Sequence, residues 1–128
     1  MLKKKITYTD FNGNKREENF YFNFTKAEAA ELQASCPEGY AEKLTALGNA
    51  EEPNAKELIA VFKEIILGAY GIKSDDGTRF MKSKEISDGF YQTEAYSNLF
   101  FELAENAEAA AEFINSVMPI EKPVLSAT

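Results

Sequence analysis

The sequence contains no histidine and no tryptophan, and it has a single cysteine, Cys36. Histidine is the commonest general base and the commonest metal ligand, so a catalytic triad or a zinc site would have to use residue types that are less common in such sites. One cysteine cannot form an intrachain disulfide, which favours a reducing cytoplasm as the setting. Because Cys36 stands directly before Pro37, at the expected end of a helix, we interpret it as a partly buried structural thiol.

Long apolar runs and glycine-rich loops are also missing. No apolar stretch approaches the roughly 20 residues that span a bilayer, and the first residues alternate in polarity instead of forming the apolar part of a secretion signal. No phosphate-binding loop is present. Asp75-Asp76-Gly77 begins like a calcium loop, but the later acidic ligands are absent, so a turn is the expected structure. We therefore expect no cofactor, no metal site and no membrane span.

Positive charge is scarce, since the formal net charge is −7. The first 24 residues carry five basic and three acidic groups, whereas residues 93–128 carry one basic and six acidic groups. A protein that binds duplex DNA needs a basic surface, so nucleic acid is not the expected partner. The lysines at positions 3–5 are typical of an edge strand protected against aggregation. Four carboxylates fall largely opposite the apolar stripes and indicate a solvated face rather than paired catalytic acids: Glu102, Glu105, Glu108 and Glu112.

The pattern of apolar residues predicts an α+β fold that is mostly α, in one compact domain over residues 1–128. We expect a β-hairpin in residues 1–24, about five or six helices in residues 25–119, and a frayed tail in residues 120–128. The length and the 45% hydrophobic content are sufficient for one packed core.

The hairpin turn is predicted at residues 12–14, Asn-Gly-Asn. A two-residue Asn-Gly turn would leave the phenylalanine row and Ile6 on opposite faces, because a one-residue slip moves every side chain to the other face. We therefore expect an odd-length loop with one residue in the left-handed region. Centring that loop on Gly13 pairs Ile6 with Phe20 and Leu2 with Phe24.

Capping side chains predict where the helices begin. The longest apolar stripe follows Asn54, where Ile59 and Ile66 widen the row from Leu58 to Ala69, so this helix is expected to be buried on more than one side and to end at Gly71. Between Ile72 and Phe80, a turn at residues 76–77 indicates a small hairpin or a structured loop. A short segment ending at Gly48 and a polar break, AEEPN, separate the first helix from the long one. The predicted caps are Thr25 with Glu28, Asn54 with Glu57, Ser83, Thr93 and Asn106.

Aromatic side chains are more numerous than one helix face can bury. Phe100 and Phe101 are adjacent, so both cannot point inward from the same face, and Phe90 and Tyr91 raise the same difficulty. Surplus aromatics near a surface are typical of protein interfaces, while burial from two sides within the domain is the alternative. Four residues are therefore candidates for binding a partner: Tyr91, Tyr96, Phe100 and Phe101.

Three segments within residues 70–119, YGIKSDDGTRFMKS, QTEAYSNLFFEL and AAAEFINSVMP, resemble the tail assembly chaperones of long-tailed bacteriophages. The resemblance implies a non-catalytic phage protein that acts in the cytoplasm of the infected host. Such proteins hold the tape measure protein soluble, help tail tube proteins polymerise around it, and are generally absent from the mature virion. Many also have a longer, frameshifted form, and the short tail after Pro119 is where two forms would part.

Other functions stay open at the level of sequence. A small structural protein of the virion, such as a head–tail connector or tube component, has a similar size. A phage regulatory protein that binds a host protein is the other alternative, since an acidic surface can mimic nucleic acid. An enzyme is the least favoured class. Self-association through the surplus aromatics is compatible with any of these.

Overall fold

A computed structural model describes residues 1–35 and 55–119 of the chain. Within these ranges the chain forms four strands and five helices. The strands are β1 (Leu2–Thr9), β2 (Lys15–Phe22), β3 (Tyr70–Lys73) and β4 (Phe80–Met81). The helices are α1 (Lys26–Ser35), α2 (Ala55–Ala69), α3 (Lys84–Tyr91), α4 (Glu94–Ala104) and α5 (Ala107–Val117).

The mixed α+β character expected from the sequence is confirmed, and the sheet is larger than the expected hairpin. Its strands run antiparallel in the order β1-β2-β3-β4. The pair Tyr21–Gly71 joins β3 to the N-terminal hairpin, and Ile72 pairs with Met81. The segment around residues 76–77 is thus a hairpin rather than a loop. The predictions for Cys36, for the segment up to the Asn54 cap, and for the tail after Pro119 lie outside the described residues.

The N-terminal hairpin has the predicted loop parity but a different register. Five residues, Asp10 to Asn14, connect the strands, and Gly13 adopts a positive φ of 84°. Leu2 pairs with Phe22 and Ile6 with Glu18, so the predicted Ile6–Phe20 and Leu2–Phe24 pairs are wrong by two residues. A shift of two preserves the faces, because side chains alternate with a period of two.

The side chain of Asp10 accounts for this register. Its Oδ1 accepts hydrogen bonds from the backbone N–H groups of Asn12 and Asn14, both at 2.9 Å. Its own backbone N–H donates to the carbonyl oxygen of Asn14 at 2.9 Å. Asp10 and Asn14 therefore close the loop, which begins two residues earlier than predicted and has its centre at Asn12 instead of Gly13.

Helix α2 ends at Ala69, close to the predicted end at Gly71, but Gly71 does not adopt the left-handed conformation of a C-terminal glycine. Gly71 lies in β3, where a Cβ atom would come within 2.6 Å of Phe80 Cε2 and 2.9 Å of the carbonyl oxygen of Met81. Glycine is required here by the close approach of β4. Ile66 is fully buried as expected, but Ile59 is 51% exposed, so α2 is not buried on all the sides that its wide stripe predicted.

The predicted helix caps that fall in the described residues are confirmed. Thr25 and Glu28 form a reciprocal capping box at the start of α1. The side chains of Ser83, Thr93 and Asn106 accept backbone N–H groups at the starts of α3, α4 and α5. Such caps satisfy donors that a helix start leaves unpaired.

The core lies between the sheet and the helices. The ring of Phe22 on β2 contacts the rings of Phe90 on α3 and Phe113 on α5, at centroid distances of 5.7 and 5.3 Å. Helix α2 packs on α3 and α4. The largest fully buried side chains are Phe22, Ile65, Ile66, Leu99 and Val117.

Lys82, just after β4, holds three parts of the chain together. Its Nζ donates to the carbonyl oxygens of Asn23 at 2.7 Å and Gly68 at 2.6 Å, and it pairs with Glu28 Oε2 at 2.8 Å. Burial alone would raise the pKa of Glu28, but hydrogen bonds from Lys82 and Thr25 outweigh burial and lower it. Burial lowers the pKa of Lys82, and the Glu28 carboxylate opposes that shift. Through this contact the start of α1 is attached to the end of α2.

Candidate functional site: an aromatic ridge on helices α3 and α4

The four aromatic candidates lie on either side of the corner between α3 and α4. Tyr91 is the last residue of α3, and the other three, Tyr96, Phe100 and Phe101, belong to α4. Thr93 fixes the corner, because its hydroxyl donates to the carbonyl oxygen of Phe90 at 2.7 Å and accepts the backbone N–H of Tyr96 at 3.3 Å. The residues that surround the candidates in sequence therefore determine how the two helices meet.

The structure brings all four rings into one continuous row, which we call the aromatic ridge (Tyr91, Tyr96, Phe100 and Phe101). The ring centroids of Tyr91 and Tyr96 are 5.0 Å apart, those of Tyr96 and Phe100 are 6.2 Å apart, and those of Phe100 and Phe101 are 5.3 Å apart. These separations are in the range of favourable ring contacts. Each ring thus supports the next.

Burial divides the ridge into a base and a crest. Tyr96 is only 7% exposed and Phe100 is partly buried against the core, whereas Tyr91 is 44% and Phe101 is 56% exposed. Tyr91 and Phe101 form the crest, and they contact the rings of Tyr96 and Phe100, which form the base. A partner would therefore touch Tyr91 and Phe101 directly, while Tyr96 and Phe100 would position them.

Helix α2 contributes three residues that the sequence pattern did not select. Phe62 packs edge-on against Phe100 at 6.0 Å, and Lys63 Nζ lies 4.3 Å from the ring centroid of Tyr91. Ile59, one helical turn before Lys63, is the one large apolar side chain that is exposed on α2. No local signal links α2 to the corner between α3 and α4, since their contact depends on tertiary packing.

Charges around the ridge are mostly negative. Glu94, Glu102 and Glu105 are all exposed on α4 or directly after it, and Glu102 pairs with Lys4 of β1 at 2.8 Å. Lys63 supplies a positive charge above Tyr91. Burial raises the pKa of Tyr96 to about 12, so its hydroxyl stays protonated at neutral pH. The ridge is an apolar surface with an acidic border.

This arrangement is suited to binding a surface. In the described ranges, no group of three or more Cys, Asp or Glu side chains is placed to hold a metal ion. The Asp76 carboxylate, which resembled a calcium ligand in the sequence, accepts the Thr78 backbone N–H and the hydroxyls of Ser74 and Thr78, as expected for a turn. These bonds, led by the Thr78 backbone, lower the pKa of Asp76 to about 2. None of the described helices has the length and apolar character needed to cross a membrane.

Comparison with known proteins identifies the family. A family model described as phage tail assembly chaperone matches residues 1–122. The chain belongs to this family. Searches among curated proteins and solved structures found no match. The resemblance seen in residues 70–119 is thus confirmed, and it extends to the N-terminal hairpin. In this tail assembly chaperone, the aromatic ridge lies within the matched region.

Proposed function

We propose that this tail assembly chaperone binds apolar helical segments of the tape measure protein through the aromatic ridge, and that this binding assists assembly of the tail tube. The single observation that carries the proposal is the exposure of Tyr91 and Phe101 above two rings that hold them in place. Rigid aromatic side chains lose little entropy on binding and are enriched among interface residues that dominate affinity.

The energetic basis is burial of the crest. Fully burying a large apolar side chain contributes about 1.5–3 kcal/mol, so covering the half-exposed rings of Tyr91 and Phe101 supplies roughly 1 kcal/mol or more each. Ile59 on α2 is also exposed, one helical turn before Lys63, whose Nζ lies over the ring of Tyr91. The exposed glutamates at its border keep the complex dispersed while the client is still unassembled. An amphipathic helix of the client is the expected form of the bound segment.

The proposal also states where and when the protein acts. The protein acts without catalysis in the cytoplasm of the infected host and leaves before the virion is complete. Mass spectrometry of purified particles checks the last point. Detection of this chain at the copy number of a tube or connector component would favour a structural virion protein instead.

Co-expression with the tape measure protein of the same phage tests the proposal. We expect the client to be soluble with the wild-type chaperone and to precipitate with Phe101→Ser. The matched control is Phe11→Ser, because Phe11 is 78% exposed in the hairpin loop and is not among the ring contacts of the ridge. Both changes remove the same apolar side chain. Equal client solubility with Phe101→Ser and with Phe11→Ser would contradict the role of the aromatic ridge. A client that is soluble without any chaperone would contradict the proposed function itself.

A further inference from the structure

The outer face of the sheet, opposite the core, is exposed and rich in lysine. Side chains alternate along a strand, so residues next to the core-facing Phe22 point away from the helices, as do those at odd positions along β1 and β2. Lys73 of β3 lies on this face, since its Nζ is 5.9 Å from the ring of Tyr21. The exposed charged residues of the face are Lys3, Lys5, Lys15, Glu17 and Lys73.

Three of these lysines form no ion pair of their own with any described residue, although Lys15 lies near the Glu17 carboxylate that pairs with Lys5. Lys5 pairs with Glu17 at 2.7 Å. Among the residues that the structure describes, no ion pair includes Lys3, Lys15 or Lys73, which we call the basic sheet face. Lys15 pairs in register with Thr9, so it lies six residues along β1 from Lys3, or about 20 Å. The result is a positive surface on a chain whose net charge is −7.

The opposite side of the molecule carries the complementary charge. Helix α5 places Phe113 against Phe22 on the inner side of the sheet. Helical periodicity therefore directs Glu108 and Glu112 away from the sheet, and both are exposed, as is Glu105 just before the helix. We call Glu105, Glu108 and Glu112 the acidic helix face. None of the ion pairs in the described ranges includes them, and residues 93–119 contain no lysine or arginine.

We infer that copies of this chain associate head to tail, with the basic sheet face of one copy on the acidic helix face of the next. Each face has three charges that form no ion pair within the described part of the chain, and the two faces are opposite in sign. Along α5, Glu108 and Glu112 are about 6 Å apart, and Glu105 precedes the helix, so the acidic helix face covers only part of the length of the basic sheet face. The two faces lie on opposite sides of each copy. When two copies associate, one basic sheet face and one acidic helix face stay unoccupied, so further copies can add and the contact extends into a chain or ring rather than closing as a pair.

A second copy explains both surfaces at once, which an acidic or a basic partner of another kind would not. The contact also leaves Tyr91 and Phe101 of the aromatic ridge outside the two charged faces. Glu105 belongs both to the acidic helix face and to the acidic border of the ridge, one helical turn after Phe101. The two proposals are distinguished by their tests, because charge reversal at Lys3, Lys15 and Lys73 leaves the ridge unchanged.

Analytical ultracentrifugation of the full chain tests the inference. At about 0.1 M salt the Debye length is about 10 Å, which screens whole-molecule repulsion but leaves contacting charges attracted. We expect the weight-average mass to rise with protein concentration there and to return to the monomer value at about 1 M salt, where the Debye length is about 3 Å. A monomer at every concentration and salt level overturns the inference.

Charge-reversal variants test the orientation. The triple variant K3E/K15E/K73E has two acidic faces and the triple variant E105K/E108K/E112K has two basic faces, so each alone is expected to be monomeric. An equimolar mixture is expected to recover association, because each variant then offers the face that the other lacks. A mixture that stays monomeric while the wild type associates contradicts the head-to-tail contact.

A matched control distinguishes the effect of where the charges lie from the effect of the net charge of the protein. The triple variant K56E/R79E/K84E changes three exposed basic residues elsewhere and has the same net charge as the sheet-face variant. We expect it to associate like the wild type. If it is as monomeric as the sheet-face variant, net charge alone governs association and the inference fails. Circular dichroism melts verify that every variant is folded.

Discussion

At the scale of single residues, burial separates Tyr96, which is 7% exposed, from Phe101, which is 56% exposed on the same helix. Adjacent Phe100 and Phe101 predicted that one ring is left outside a single buried face, and Phe101 is the one that is exposed. Tyr96 was selected with them, yet it is buried under its neighbours, because it shares the buried face of α4 with Leu99 and Leu103. Helical periodicity identifies a face, but it does not say how far neighbouring helices cover its margins.

Burial of Tyr96 predicts a stability loss at alkaline pH. Its pKa is about 12 in the folded chain and 10.0 in an unfolded one, so the unfolded state ionises first. The contribution is fully present below pH 10 and is lost as pH rises toward 12. We expect the wild type to lose about 1 kcal/mol more than Tyr96→Phe across this window, measured by urea unfolding at several pH values. Parallel pH profiles for the two proteins would show that the Tyr96 hydroxyl is well hydrated.

Lys82 is predicted to be the most important single charge for stability. Lys82→Met removes the donor to two backbone carbonyls and the cation paired with Glu28 Oε2, so we expect a loss of about 2 kcal/mol in the free energy of unfolding. Lys84→Met is the control, because the Lys84 side chain is 92% exposed and its loss should change stability by less than about 0.5 kcal/mol. Denaturant melts that give the same shift for both variants would contradict the role of Lys82.

At the scale of elements, sequence patterns within a few residues predicted the helix starts correctly, whereas pairings between distant parts of the chain were not predicted. Caps such as Ser83, Thr93 and Asn106 were predictable because the capping side chain and its N–H partner are two or three residues apart. The hairpin parity followed from the alternation of polarity, while its register depended on Asp10 hydrogen bonds that compete with the Asn-Gly signal. The pairing of Tyr21 with Gly71 joins residues fifty positions apart, and no local pattern indicates it.

Substitution of two glycines by alanine is expected to change the stability of the fold in opposite directions. Gly71→Ala should destabilise the fold by about 1–3 kcal/mol, because its Cβ has no room beside Phe80. Gly89→Ala should stabilise it by up to about 1 kcal/mol, because Gly89 lies in helix α3 and a Cβ there meets nothing within 4 Å. Thermal melts of the two variants provide the comparison. A tolerated Gly71→Ala would mean that β4 moves away at little cost.

At the scale of the whole molecule, the protein is divided by charge and by apolar exposure. The sheet side is basic, the α5 side is acidic, and the aromatic ridge is a third surface at the corner of α3 and α4. Membership of the tail assembly chaperone family follows from residues 1–122, whereas the tape measure protein as client is our proposal. That residues 1–128 form a single domain stays a prediction. Overall composition indicated a binder, but the separation of the three surfaces required the tertiary structure.

The affinity of the chaperone for its client tests the central claim most directly. Titration of purified tape measure fragments, followed by calorimetry, compares wild type, Phe101→Ser and Phe11→Ser. Removing an interface aromatic that dominates binding costs more than about 1 kcal/mol, so we expect Phe101→Ser to weaken binding about tenfold. Phe11→Ser should bind like the wild type. Wild-type affinity in the Phe101→Ser variant would contradict the claim that the aromatic ridge holds the client.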